Sequence, residues 1–197
     1  MNRVRTAVLI SGRGSNMMAL VEAAKDHANP AEIVCVVSNR ADAAGLSFAA
    51  ANGIATKVID HKAYASREAF EAALDSYLRA MQVEIIACAG FMRILTASFI
   101  AGWEDRMINI HPSLLPAYKG LHTHERVLAD GAKTHGCTVH HVTAELDAGP
   151  VILQAEVPVL PGDTPETLSA RVLKEEHRIY PQALAMVAKS LQPNTSI

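Results

Sequence analysis

Short apolar runs rich in β-branched residues alternate along the first half of the chain with longer, alanine-rich stretches whose apolar positions recur at helical spacing. Residues 4–10, 33–38, 56–59, 83–89 and 107–110 form runs too short for helices and bounded by Gly, Asn, Asp or Ser, which predicts strands. Residues 15–26, 42–51 and 66–81 carry the helical period. Strand and helix in alternation predict βαβ units, and so an α/β fold with an open, Rossmann-like, mostly parallel sheet and helices on both faces. From Thr134 the rhythm changes. Residues 135–142 and 151–159 are strand-like runs joined by "TAELDAGP" with no helix between them, which predicts an antiparallel or crossing pair added to the sheet. A closing helix is expected from Asp163 or Thr164 towards Leu191, with a capping box from Asp163 to Glu166, a kink or break at Pro181, and a frayed tail QPNTSI.

Composition narrows this picture. With 197 residues, half of them hydrophobic, and a net charge of -2, the chain is long enough for one globular domain with a sizeable core and has no basic field for a nucleic acid. The expected organisation is one domain, with an N-terminal half over about 1–105 and a C-terminal half over about 106–197. The chain begins with a strand-like run that passes straight into a glycine loop, and no run nears the ~20 apolar residues that cross a bilayer. Neither a signal peptide nor a membrane span is therefore expected. Cys35, Cys88 and Cys137 are odd in number and lie in strand-like runs, which suits buried thiols in a reducing, cytoplasmic setting.

Two stretches carry candidate chemistry. "VLISGRGSNMMAL" sets a glycine loop between a first strand and a first helix, where free backbone N–H groups and the helix dipole favour a phosphate. Gly12 and Gly14 match the start of a dinucleotide fingerprint, but Met17 stands where its third glycine belongs, and Ser38, Asn39 and Arg40 end the second strand without an acid for a ribose. NAD is thus disfavoured, with NADP kept open only through Arg40. Ser15 and Asn16 suit a single terminal phosphate, although Ser15 as a plain helix cap is an alternative. In "INIHPSLLPAYKGLHTH", Asn109 and His111 share one face at the carboxyl end of a strand, where open α/β sheets bind ligands. An amide and an imidazolium aimed at one point suit a developing oxyanion, as in acyl-type transfer. A histidine of ordinary pKa, ~6.5, needs a nearby carboxylate to stay protonated at neutral pH, and Asp147 in "ELDAGP" is the candidate. The histidines at 111, 122, 124, 135, 140 and 141 show none of the usual metal-ligand spacings, so no metal is expected.

Taken in order, "ISGRGSN", "REAF", "AGFMRIL", "INIHPSLLPAYKGLHTH", "ELDAGPVI" and "EEHRIYPQAL" span nearly the whole chain, which resembles the glycinamide ribonucleotide formyltransferase family of purine biosynthesis. The resemblance implies formyl transfer from 10-formyltetrahydrofolate, as cosubstrate, to the primary amine of glycinamide ribonucleotide. It implies small-molecule partners, no metal, and a monomer or homodimer. The catalytic Asn, His and Asp of the family fall on Asn109, His111 and Asp147, and its phosphate loop on Gly14, Ser15 and Asn16. Its folate contacts fall on Arg67, Met92, Arg93, Ile94, Leu95 and Asn109, with the loop around Asp147 closing over the pterin. Its acidic contact to the amine end of the substrate falls on Glu176. "PAYKG" carries Lys119 where some relatives are uncharged, a departure on which the mechanism does not depend. Read from residues alone, Met92, Ile94 and Leu95 are equally good as core, and Arg67 and Glu176 as solvated helix positions. The rival formyl enzymes, a methionyl-tRNA formyltransferase with an extra C-terminal domain and a formyltetrahydrofolate deformylase with an N-terminal one, fit the chain length less well. A non-catalytic nucleotide-binding module leaves Asn109, His111 and Asp147 unexplained.

Overall fold

In the computed structural model, which describes residues 2–192, seven strands form one sheet in the order β3-β2-β1-β4-β5-β6-β7. β1 (Val4–Ile10), β2 (Ala31–Ser38), β3 (Ala55–Val58), β4 (Ile85–Cys88) and β5 (Met107–His111) run parallel, while β6 (Thr134–His141) and β7 (Val151–Pro158) add on antiparallel. β1 and β4 are buried along nearly their full length, as expected of central strands covered on both faces. β3 is exposed throughout and pairs only with β2, which is why its apolar signal is weak and its bounds shift by one residue from the expected 56–59. The other predicted strands are found within two residues at either end.

Among the described residues six α-helices cover the sheet. α1 (Ser15–Ala24), α2 (Gly45–Ala51), α5 (Thr123–Ala129) and α6 (Pro165–Leu191) pack on one face, where Met17, Leu20, Val127, Tyr180 and Leu184 meet Val8, Ile108 and Val139. α3 (Arg67–Ala80) and α4 (Ala97–Ala101) pack on the other, where Phe70, Leu74, Phe99 and Trp103 meet Leu9, Val37 and Met107. The Tyr180 hydroxyl, fully buried, donates to the carbonyls of Cys88 (2.8 Å) and Ile108 (3.4 Å), so α6 is tied to β4 and β5 by polar as well as apolar contact. Cys35, Cys88 and Cys137 are free and buried, and burial pushes each thiol up to about 12. Among the described residues no helix is long and apolar enough to cross a membrane.

Two local expectations are corrected. α6 runs without a break through Pro181. Its ring removes one helical N–H, but Tyr180 on one side and Ala183 and Leu184 on the other are all buried against the sheet, and that packing keeps the helix continuous. The capping box at its start is Thr164 with Thr167, not Asp163 with Glu166. Asp163 is engaged elsewhere, accepting two bonds from the Arg171 guanidinium at 2.7 and 2.9 Å, which hold its carboxyl well below the usual carboxylate range. α4, α5 and a 3-10 turn at His61–Ala63 are additional elements whose few residues show no full helical period. The expected frayed tail lies, from Pro193 on, outside the described residues.

Candidate active site

The strand order reverses between β1 and β4, so their carboxyl ends splay into a crevice. A cavity of about 400 Å³ opens there, lined by residues 11–16 after β1, Asn39 and Arg40 after β2, His61, and Gly90, Met92 and Arg93 after β4. Ser11 knits the three strand ends: its hydroxyl donates to Asn39 Oδ1 (2.6 Å) and accepts from the Met92 N–H (2.8 Å). Gly14 is the residue that must be glycine. Its φ of 74° is left-handed, and a β-carbon would lie 3.0 Å from Met17 Cε and 3.3 Å from Gly45 Cα. Gly45 on α2 thus gives room to the Met17 side chain that replaces the third fingerprint glycine. Gly14 caps α1 and no side chain, Ser15 included, bonds the first N–H groups of that helix. Those donors face the cavity free to take an anion. Arg40, which also lines the cavity, has its guanidinium paired with Asp42 at 2.9 and 2.7 Å.

Asn16 points from the phosphate loop to α6, where its Nδ2 donates to Glu176 Oε2 at 2.6 Å. Glu176 is buried, not a solvated helix carboxylate, and burial raises its pKa while the Asn16 bond opposes the rise. That contact sets it at the phosphate end of the crevice. Among the described residues no hydrogen bond joins it to Asn109 or His111. Met92 and Ile94, 62% and 65% exposed, are surface and not core, whereas Leu95 packs against Phe70 and its neighbours. The Arg93 Nε is buried without a partner. Arg67 opens α3, exposed to solvent.

At the end of β5, Asn109 and His111 gather with His140 of β6 and Asp147 of the loop that follows it. Asp147, in the 142–150 loop, brings Oδ2 to 3.5 Å from His111 Nδ1, with both side chains only 8% exposed. The same oxygen accepts the Gly120 N–H at 2.9 Å, and the other oxygen lies 3.8 Å from His140 Nε2. His111 Nε2 lies 3.0 Å from the Tyr118 carbonyl oxygen, so both ring nitrogens face acceptors. Asn109 sits directly across the β5–β6 ladder from His140, its Nδ2 3.2 Å from His140 Nε2. Lys119, in the loop after β5, pairs with Glu145 at 3.0 Å and so links that loop to the one bearing Asp147. Sequence reasoning missed His140, Tyr118 and Gly120 here. Nothing in the chain order shows that β6 pairs with β5 in a register placing residue 140 opposite residue 109.

A family model described as formyl transferase matches residues 4–184. The chain belongs to the formyl transferase family. A phosphoribosylglycinamide formyltransferase from Escherichia coli is 47% identical over 181 residues, which is 92% of this chain and 85% of that protein. The crystal structure of a phosphoribosylglycinamide formyltransferase from Brucella melitensis superposes with a TM-score of 0.92 at 55% identity, covering 95% of this chain and 96% of that one. A trifunctional purine biosynthetic protein, adenosine-3, from Gallus gallus is 53% identical over 187 residues. The match takes in 95% of this chain but only 19% of that protein, so the chain spans a minor part of the length of its trifunctional relatives. Family membership accounts for the mostly parallel sheet with its two antiparallel strands, as expected from the sequence.

Proposed function

We propose that this formyl transferase moves a formyl group from 10-formyltetrahydrofolate to the primary amine of glycinamide ribonucleotide, a step of purine biosynthesis, in the cytoplasm. The observation that carries the reading is the meeting of Asn109, His111 and Asp147 at the sheet edge that also holds an uncapped helix N-terminus. The uncapped end of α1, with Gly14, Ser15 and Asn16, takes the ribose phosphate. Anchoring the phosphate turns remote binding energy into effective concentration of the amine at the formyl carbon. Glu176, bonded to Asn16, meets the body of the ribonucleotide between its phosphate and its amine. Met92 and Ile94 leave apolar surface uncovered beside the crevice, a fit for a flat heterocycle, with Arg93 and Leu95 completing that wall and Arg67 available to a carboxylate of the folate tail.

The amine, in its neutral form, attacks the formyl carbon, and the formyl oxygen becomes an oxyanion. Asn109 and His111 donate to that oxygen, His111 by leaving the Tyr118 carbonyl. Asp147 supplies the counter-charge to a His111 imidazolium and, through His111 or a water, takes the amine proton on its way to the departing folate nitrogen. Collapse of the intermediate gives the formylated ribonucleotide and tetrahydrofolate. The burial of all three cysteines as free thiols supports a reducing compartment.

The test is a two-substrate assay. Deformylated folate is expected only when both the 10-formylfolate and the ribonucleotide are present, and His111→Ala should lower turnover by orders of magnitude with ribonucleotide affinity nearly intact. Release without the ribonucleotide would mean a hydrolytic deformylase instead.

A further inference from the structure

We propose that His140 is a positioning residue for the transfer: its Nε2 lone pair holds the Asn109 carboxamide in the orientation that leaves one amide N–H free for the formyl oxygen. This rests on the oxyanion reading of Asn109 given above. His140 is 2% exposed and its Nδ1 lies 2.9 Å from the His141 carbonyl oxygen. A carbonyl only accepts, so the proton of the neutral ring sits on Nδ1 and Nε2 presents a lone pair. The group facing that lone pair at 3.2 Å is Asn109 Nδ2, and this is the one hydrogen bond of the Asn109 side chain among the described residues. Asp147 Oδ1, at 3.8 Å, is too far for a hydrogen bond.

The bond decides the function of the amide. Nδ2 has two hydrogens. His140 takes one, and the other has no acceptor among the described residues. With no acceptor at His140 nothing selects this orientation, and the reversed amide turns a carbonyl oxygen towards the developing negative charge. Burial favours the neutral ring that this bond needs, the bond to the His141 carbonyl and the nearby charge of Asp147 oppose it, and a charge on His111 or His141 would reinforce it.

Two features of the backbone lie beside His140. The β6–β7 register shifts from Val139 paired with Leu153 to His140 paired with Val151, which leaves Ile152 as an extra residue on β7. Gly149 of the Asp147 loop passes so close that a β-carbon there would lie 1.8 Å from the His141 carbonyl oxygen, the same oxygen that sets the His140 tautomer. One glycine therefore lets the loop bearing the acid and the strand bearing the histidine dock together.

The two-substrate assay tests this with His140→Leu, His140→Gln, Asn109→Ala and the His140→Leu/Asn109→Ala pair. Asn109→Ala should lower kcat by roughly 10²–10³, the usual loss of an oxyanion donor, and His140→Leu by about 10–100-fold with both KM values little changed. His140→Gln, whose side-chain oxygen can accept from Asn109 where Nε2 did, should recover most of that loss. The double variant should be no slower than Asn109→Ala alone. Equal losses for Leu and Gln, or a His140→Leu penalty that persists in full without Asn109, would overturn the positioning role. Should Asn109→Ala keep full turnover, the oxyanion reading itself falls, and the role of His140 with it. Nitrogen-15 NMR of the unsubstituted protein gives a check independent of any variant: His140 should show a protonated Nδ1 and a bare Nε2, and a proton on Nε2 would refute the proposal.

Discussion

Glycine and histidine carry most of the local meaning in this chain, for different physical reasons. Gly14 is needed twice over, for a left-handed φ and for the space taken by Met17 and Gly45. Gly14→Ala should lower unfolding free energy by more than about 1 kcal/mol and raise the KM for the ribonucleotide while sparing that for the folate, measured by urea melts and by kinetics. An unchanged KM would detach this loop from the phosphate. The histidines differ in kind even though they are one residue type. His111 faces an acid, His140 an amide, and His135 another imidazole, its Nε2 3.0 Å from His124 Nδ1. Asn109 and His111 were legible as a pair from their shared strand face. The part taken by His140 was not, because a neighbour across a ladder leaves no mark in local spacing.

Among the elements, α6 departs furthest from local rules. A helix of 27 residues containing Pro181 survives because its apolar stripe, from Leu168 through Tyr180 to Ala188, is buried along the sheet. The proline still costs one hydrogen bond, since the His177 carbonyl has no N–H four residues on. Pro181→Ala should therefore raise stability by roughly 1 kcal/mol or more, the restored bond outweighing the added freedom of the unfolded chain. A lower melting temperature would show that the ring itself is an essential packing contact. The elements that escaped prediction, α4 and α5, are of five and seven residues. Helices so short form only against a finished surface, and Thr96 caps α4 while itself bonded to the buried Glu71 of α3.

For the whole molecule, burial of His135 links folding to pH. Its ring is pushed down to about 4 by burial first, with His124 and His111 adding to the effect. An unfolded histidine takes a proton near ~6.5, so between there and about 4 the unfolded chain binds more protons than the folded one. Stability should fall as pH drops through that window and level off below it, and His135→Gln should flatten this part of the curve in urea melts taken across the range. A curve of unchanged slope would assign the acid sensitivity to other groups. The strand–helix alternation, the glycine loop after the first strand and the Asn–His face could be read from the chain alone, because each is written in local periodicity or in residues a few positions apart. Tertiary structure alone decided that Asp147 reaches His111, that His140 stands opposite Asn109, and that Glu176 is buried beside Asn16. Those contacts join residues 36, 31 and 160 positions apart, from 111 to 147, 109 to 140 and 16 to 176. Such meetings are set by sheet order and register, which only the closure of the whole core selects.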